Sequence, residues 1–203
     1  MQIIVLFKKK GLLRHLSAVE TSNTILRTLN RAGLNMEFSE GFHPLPKVSF
    51  LDSTPTGMID LALYVCVKLR VLPDGGIAEV RDKIKRNLPY GLEIQRIFQS
   101  EVNLNKMVNG YEYIAFFKDE PDFSKAFTKH SGKIFIPREL MKNLEVSLKK
   151  NMFVVKYTVD RSSIFNPYLL KGTYLAIRTK ALVNGEDVSK ILEGRYYEST
   201  CCR

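Results

Sequence analysis

The chain begins with a strand pattern followed by a capped helix pattern, and this pair limits the possible folds more than any other feature. Gln2–Phe7 is an apolar run rich in β-branched residues, which predicts a buried strand. Ser17 and Glu20 have the spacing of a capping box, in which each side chain binds the backbone N–H of the other residue. Gly33 suits the left-handed position that ends a helix. The sequence therefore predicts a strand and then a helix between Ser17 and Gly33.

Three further strand patterns and a second helix pattern complete the first half. We expect a short strand at Val48–Leu51, and the alternation of apolar residues over Asp60–Arg70 predicts a longer one. Pro73 opens a helix pattern that Pro89 ends, and Leu92–Phe98 is the last strand. The order β-α-β-β-α-β predicts an α+β fold with a ferredoxin-like first domain. Both helices then cover one face of the sheet, and the other face is left for a partner or a second domain.

Composition divides the chain into two domains. Residues 99–110 are polar, rich in Asn and without a pattern, which is typical of a linker. We therefore predict a ferredoxin-like domain with a Gly/Pro loop over 1–98 and a second, smaller α+β domain over 111–193. We leave open whether the second domain is also ferredoxin-like, since the sequence shows no internal repeat. Residues 194–203 are predicted to form a mobile tail.

The second domain has weaker patterns than the first. Tyr111–Lys118 and Thr173–Val183 are predicted strands. Pro121–His130 is predicted to be a short helix. Leu144–Lys149 and Met152–Val159 predict a β-hairpin, because only two residues separate the two apolar runs.

The charge of the chain favours a polyanionic partner. There are 31 Lys and Arg against 21 Asp and Glu, a net charge of +10 that the two halves share equally. A distributed excess of this size suits a folded surface that meets nucleic acid, and we expect RNA as the ligand. A membrane partner is not expected, because the longest apolar stretches are far shorter than the roughly 20 residues that span a bilayer. We predict a cytoplasmic protein.

Motifs for cofactors and for common enzyme chemistry are missing from the sequence. The three cysteines, Cys66, Cys201 and Cys202, make neither a disulfide framework nor a Cys-x-x-Cys metal pair. The sequence has no zinc-hydrolase, P-loop or serine-hydrolase motif. We therefore expect no metal and no cofactor. Histidine occurs only at His15, His43 and His130, and the last is predicted to be a solvated residue at a helix end.

The most informative segment is a loop, Gly41-Phe-His-Pro-Leu-Pro-Lys47. Its two prolines restrict the backbone, so that presenting side chains to a ligand costs less entropy. An aromatic ring, an imidazole and an ammonium group on a stiff loop suit a stacked base and a phosphate. The open alternative is that Phe42 packs beneath the loop. We predict nucleic-acid contacts from Arg14, Arg27, Arg31, Phe42, His43 and Lys47, and structural roles in the loops for Gly41, Pro44, Pro46 and Gly57.

Four motifs in the first hundred residues resemble a known bacterial family. They are Arg14-His-Leu-Ser17, Leu29-Asn-Arg-Ala-Gly-Leu34, Phe38-Ser-Glu-Gly-Phe-His-Pro-Leu-Pro-Lys-Val-Ser-Phe50 and Pro55-Thr-Gly57. They resemble the radical SAM-linked protein family, whose members occur alone or fused behind cobalamin-binding-type radical S-adenosylmethionine (SAM) enzymes, often beside a ribonuclease of the E/G type. The resemblance implies a partner or substrate-presenting role near RNA metabolism.

The sequence is compatible with three functions. The first is a non-catalytic RNA-binding or substrate-presenting accessory protein that works with a radical SAM enzyme. The second is a metal-independent endoribonuclease, with His43 or His15 as the general base and Lys47 stabilising the phosphate. The third is a protein–protein adaptor that docks an enzyme on its exposed sheet face and does not bind RNA.

Overall fold

A computed structural model describes residues 1–128, 132 and 134–201, with side chains described as far as residue 194. The chain divides into two compact units, one of Met1–Asn105 with Ser189–Arg203 and the other of Lys106–Val188. Both contain β-sheet, and helices longer than one turn occur in the first unit, so the predicted α+β class is confirmed. None of the described helices is both long and apolar enough to cross a membrane.

The first unit follows the predicted order of elements. Its strands and helices are β1 (Gln2–Lys9), α1 (Ala18–Arg31), β2 (Val48–Phe50), β3 (Ile59–Lys68), α2 (Gly76–Lys85) and β4 (Leu92–Gln99). A 3-10 turn, Gly11–His15, lies between β1 and α1. The strand order is β4-β1-β3-β2, with every neighbouring pair antiparallel. The finer assignment to the ferredoxin-like fold stays a prediction.

Helix α1 begins and ends where the sequence predicts. The Ser17 hydroxyl accepts a hydrogen bond from the Glu20 N–H, and the Glu20 carboxylate accepts one from the Ser17 N–H at 2.8 Å. This bond lowers the pKa of Glu20. Gly33 follows the helix with φ +64°, a conformation that a side chain would disfavour. Caps of this kind stabilise a helix by about 1 kcal/mol, so they fix the position of α1 along the chain.

The core of the first unit lies between the sheet and its helices. Alternate residues of β1 and β3 face Ile25 and Leu29 of α1 and Val80 and Ile84 of α2, all of them buried. The opposite sheet positions, expected to be open to a partner, are buried as well, and they include Ile4, Leu6, Ala62, Tyr64 and Cys66. Apolar residues occupy both sides of the two central strands, which is typical of a strand covered on both faces. Of the two expectations for this face, a partner or a second domain, a face open to a partner is therefore not found among the described residues.

The chain returns to the first unit near its end. Helix α5 (Val188–Cys201) belongs to that unit from Ser189 onward, although the sequence placed these residues at the end of the second domain and in a tail. Leu192 is buried, and Glu193 forms an ion pair with Arg96 of β4. The predicted linker is also more structured than expected, because it contains helix α3 (Leu104–Met107).

The second unit is built mainly of antiparallel strands. They are β5 (Gly110–Phe117), β6 (Phe127–Thr128), β7 (Ile134–Phe135), β8 (Lys142–Lys149), β9 (Met152–Asp160), β10 (Thr173–Val183) and β11 (Glu186–Asp187). The sheet order is β10-β5-β9-β8, with β11 paired to β10 and with β6 and β7 as a separate pair. Within its described residues, α4 (Pro137–Leu140) and short 3-10 turns are the helical elements. A second ferredoxin-like domain, which needs two crossover helices, is therefore not present there.

The predicted helix over Pro121–His130 was wrong over its described part, because side chains compete with helical bonding there. Asp122 accepts hydrogen bonds from the N–H and the hydroxyl of Ser124, which is the geometry of a turn. Phe123 packs edge-on against Phe117 at 6.0 Å. The segment continues into β6, and His130 lies outside the described residues.

Buried aromatic rings fill the core of the second unit. Tyr113 and Tyr157 stack at 5.5 Å between ring centres, and Tyr157 stacks on Phe165 at 6.1 Å. The guanidinium of buried Arg178 lies 4.8 Å from the ring centre of Tyr111. Burial raises the pKa of Tyr157 well above its ordinary value, so its hydroxyl stays protonated.

The chain at Gly91 passes close to the backbone of Lys10, and a substitution tests how much this close approach contributes to stability. It has φ +94°, and an added Cβ would lie 2.7 Å from the Lys10 carbonyl oxygen and 3.2 Å from Leu13 Cγ. Gly33 has φ +64° but open space around it. We expect Gly91→Ala to lower the free energy of unfolding by about 2–5 kcal/mol, against about 1–2 kcal/mol for Gly33→Ala. Urea denaturation measures both, and equal losses would show that the close approach to Lys10 contributes nothing.

Candidate nucleic-acid interface

The proline-containing loop is closed by hydrogen bonds at its neck. Ser39 N–H donates to the Leu45 carbonyl at 2.8 Å, and Leu45 N–H donates to the Ser39 hydroxyl at 3.0 Å. Phe38 and Pro46 make a single β-bridge just below this pair. We call residues 39–45 the tip loop. The hydrogen bonds hold the two ends of the tip loop together. Pro44 further restricts the backbone conformations of this short segment.

The tip loop exposes apolar side chains. Phe42 is 103% exposed, which means that its ring packs against no other part of the chain. Leu45 is 68% exposed, and His43 is exposed beside it. Gly41 has φ +123°, a conformation that favours glycine, and it allows the turn that points Phe42 outward. The alternative in which Phe42 packs beneath the loop is therefore wrong.

The base of the tip loop pairs with the end of β3. Glu37 N–H donates to the Lys68 carbonyl at 2.9 Å, Lys68 N–H to the Lys47 carbonyl at 3.0 Å, and Lys47 N–H to the Glu37 carbonyl at 2.7 Å. Arg70 N–H donates to the Asn35 carbonyl at 2.8 Å. The exposed residues Lys47, Lys68 and Arg70 thus surround the base of the loop, and we call these three the basic collar.

The basic collar has three cations, and Glu37 is the acid that lies beside them. The Lys47 ammonium lies 3.3 Å from the Glu37 carboxylate, with side chains 46% and 31% exposed. The Lys68 N–H bonds to the Lys47 carbonyl and the Lys68 carbonyl accepts from the Glu37 N–H, so both of these residues flank Lys68 in the backbone pairing. Three cations, Lys47, Lys68 and Arg70, thus stand with one acid, Glu37, at the base of the loop. Lys68 and Arg70 could not be found from the sequence, because only the pairing of the loop base with β3 brings them to the loop.

The other predicted contacts belong to other elements than the tip loop. Arg14 Nε is 3.2 Å from His15 Nε2, and the Arg14 carbonyl accepts a bond from Gly57 N–H at 2.8 Å, so these residues form a separate turn. Arg27 and Arg31 are exposed on α1. Among the described residues, no hydrogen bond or ion pair connects Arg14, Arg27 or Arg31 to the tip loop.

The two described histidines differ in their hydrogen bonding. A catalytic imidazole is normally held in orientation by a second hydrogen-bonding group. In the part of the chain that the structure describes, no side chain or backbone group bonds the His43 imidazole, and the partner of His15 is Arg14. Lys47, assigned to the phosphate in a nuclease mechanism, is paired with Glu37. No described group of three or more His, Cys, Asp or Glu is placed to hold a metal ion.

A buried polar cluster beneath α1 is the second unusual feature of this unit. Lys9 and Asp60 lie opposite each other in the β1–β3 register, 2% and 1% exposed. The Lys9 ammonium donates to the Thr21 hydroxyl at 3.4 Å, and the Thr54 hydroxyl is buried without a hydrogen-bond partner. The cavity that these side chains line measures about 20 Å³, which is room for one water molecule. The cluster therefore cannot hold a nucleotide.

A groove beside α2 is the rival surface for an anionic ligand. It has a volume of about 540 Å³ and is lined by Arg81, Lys85 and Tyr90, of which Tyr90 is 93% exposed. Acids offset several bases around it: Lys10 pairs with Glu93 at 2.7 Å, and Lys83 with Glu79 at 2.8 Å. The hydrogen bond from Lys83 is the main reason that the pKa of Glu79 is lowered. The groove thus combines an exposed ring with two lining cations, Arg81 and Lys85, and with one acid, Glu93, which is paired with Lys10.

Comparison with known sequences places the chain in a family. No curated protein matches it. A family model does match, over residues 2–172, and this span includes the tip loop, the basic collar and most of the second unit. The chain therefore belongs to the family described as "Uncharacterized protein conserved in bacteria (DUF2344)".

Proposed function

We propose that this protein binds single-stranded RNA without cleaving it, and that it presents the bound RNA to a partner enzyme. The observation that carries the proposal is the fully exposed ring of Phe42 on a loop whose base carries Lys47, Lys68 and Arg70. The ring would stack on an unpaired base, and the basic collar would bind the adjoining phosphates.

The exposure of Phe42 supports a ligand for its ring. A phenylalanine that stays in water forgoes roughly 1.5–3 kcal/mol that burial would provide. Leu45 adds a second exposed apolar group to the same short loop. Loops that are rigid and carry exposed aromatic side chains are typical places for binding function. Bases in single strands expose the flat faces that such a ring contacts, whereas a duplex hides them.

The charge of the chain supports an anionic ligand. The whole protein has a net charge of +10, and the collar contributes two more cations than acids when Glu37 is counted. Phosphate contacts supply most of the affinity of nucleic-acid binding and make it sensitive to salt. An RNA that extends beyond the tip loop would be needed for its phosphate backbone to reach Arg14, Arg27 and Arg31.

The proposed partner rests on the resemblance of the sequence motifs. The loop that carries Phe42 is also the segment that most resembles the radical SAM-linked protein family, so we propose a radical SAM enzyme of the cytoplasm as the partner. An adaptor without RNA would need a docking surface other than the sheet face of the first unit, since that face is buried.

Replacing the exposed ring tests the stacking contact. We expect Phe42→Ala to weaken binding of a labelled single-stranded RNA by about 5- to 150-fold, since stacking on an aromatic ring contributes about 1–3 kcal/mol per base. Fluorescence anisotropy measures the affinity. Tyr90→Ala is the matched control, because Tyr90 is an exposed ring in the same unit. If Tyr90→Ala weakens binding and Phe42→Ala does not, the groove beside α2 is the RNA site and the proposal is wrong.

Replacing a collar lysine tests the phosphate contact. The logarithm of the affinity falls with the logarithm of the salt concentration, and each phosphate contact to a single strand adds about 0.7 to this slope. We expect Lys68→Gln to reduce the slope by about 0.7 and Arg86→Gln, an exposed cation after α2, to leave it unchanged. The measurement is a salt series of the same anisotropy titration. An unchanged slope in Lys68→Gln would remove the collar from the interface.

The fate of the RNA separates binding from cleavage. Because His43 has no orienting partner among the described residues, we expect labelled RNA to stay intact during long incubation with the protein, as read on a denaturing gel. Cleavage that persists in EDTA and disappears in His43→Ala would instead establish the endoribonuclease.

A further inference from the structure

Strand β8 is a free edge of the second unit. It pairs with β9 on one side, and no described strand pairs with its other side. Seven of its eight residues are exposed, and Leu144 is half-buried. Val146 is 50% exposed and Leu148 is 64% exposed, so two apolar side chains stand at this edge. A long exposed edge with apolar side chains is a template for pairing with another strand.

The turn after β8 determines which backbone groups point outward. Lys150 and Asn151 have φ of 47° and 60°, and Lys149 lies opposite Met152, which is the geometry of a two-residue hairpin turn. In such a hairpin the closing pair exchanges two hydrogen bonds, and every second residue then bonds to the neighbouring strand. The pairing is regular from Lys149 back to Glu145. The N–H and C=O groups of Val146 and Leu148 therefore point away from β9.

The edge is complementary to itself in one antiparallel register. With a two-fold axis at Ser147, Val146 of one copy lies opposite Leu148 of the other, and the outward backbone groups of both residues meet in hydrogen-bonded pairs. The same register places Glu145 opposite Lys149 twice. Both side chains are exposed, and neither forms an ion pair within the described chain. Opposite charges and apolar pairs facing each other across strands both favour pairing.

The neighbouring register is less favourable. An axis at Val146 brings Lys142 opposite Lys150 and leaves Glu145 opposite Ser147. Like charges directly opposite oppose the pairing. The axis at Ser147 thus satisfies the hydrogen bonds, the apolar side chains and the charges of the edge together.

We propose that two copies of this chain associate through β8, as an antiparallel β8–β8 pair with its two-fold axis at Ser147. A two-fold contact uses the same patch on both copies, which is why self-complementarity of β8 selects a second copy rather than another protein. One strand gives a small interface, so we expect a dissociation constant on the order of 100 μM. The proposal does not depend on RNA binding.

Reversing the charge of Glu145 or of Lys149, which are predicted to lie opposite each other across the two copies, tests the proposed dimer. In Glu145→Lys each cross-copy pair becomes two lysines, and in Lys149→Glu it becomes two glutamates. We expect about tenfold weaker self-association in either single variant. An equimolar mixture of the two variants restores both opposite-charge pairs, so we expect the mixture to dimerise as the unmodified chain does. Glu139→Lys, an exposed substitution of the same charge in the same unit, is the control.

Sedimentation velocity of nuclease-treated full-length protein, from about 10 to 500 μM, measures the association. Circular dichroism checks that each variant is folded. Weaker association of both single variants, with recovery on mixing, supports the register. A chain that stays monomeric over this range overturns the proposal. A dimer that neither variant weakens, or one that Glu139→Lys weakens equally, places the contact elsewhere and also overturns it.

Discussion

Backbone pairing at the end of β3 is the constraint on which the candidate site depends. Lys68 uses its N–H and its C=O to bind Lys47 and Glu37, and these two residues bind each other. The three segments therefore meet at one point, although they lie up to thirty-one positions apart in the sequence. This pairing fixes where the tip loop leaves the body of the unit. It also gathers the collar cations, since each of them is adjacent to or part of the pairing.

The same pairing creates an electrostatic imbalance. Lys47 and Lys68 are joined by a backbone hydrogen bond, Glu37 is the acid that pairs with Lys47, and Arg70 lies two residues beyond Lys68. Under the proposed function, an anion here would meet more cations than acids. The apolar tip and the cationic base present two different chemistries within one short segment, as the base and the phosphate of a nucleotide require. Elsewhere in the first unit, Lys10, Lys83 and Arg96 have acidic partners, as Lys47 has in the collar.

The first unit could be predicted well from the sequence because its signals are local. The capping box of α1, the glycine after it and the alternation over β3 each act within a few residues, and the structure places these elements accordingly. The helix expected at Pro121–His130 shows the opposite case, since one Asx turn at Asp122 outweighed a weak periodic pattern. Lys150-Asn151 is a less common hairpin turn than Asn-Gly, yet both residues adopt positive φ and close the predicted hairpin. For the site, Phe42, His43 and Lys47 could be found on one short motif. Lys68 and Arg70 could not, because strand register is a property of the folded sheet.

Titration of the isotope-labelled full-length protein with an unlabelled RNA of about eight nucleotides, followed by backbone amide NMR shifts, tests the central claim most directly. The account predicts that the largest shifts fall on residues 37–47 and 68–70. Shifts concentrated on residues 81–96, or the absence of any shift at millimolar RNA, would contradict it.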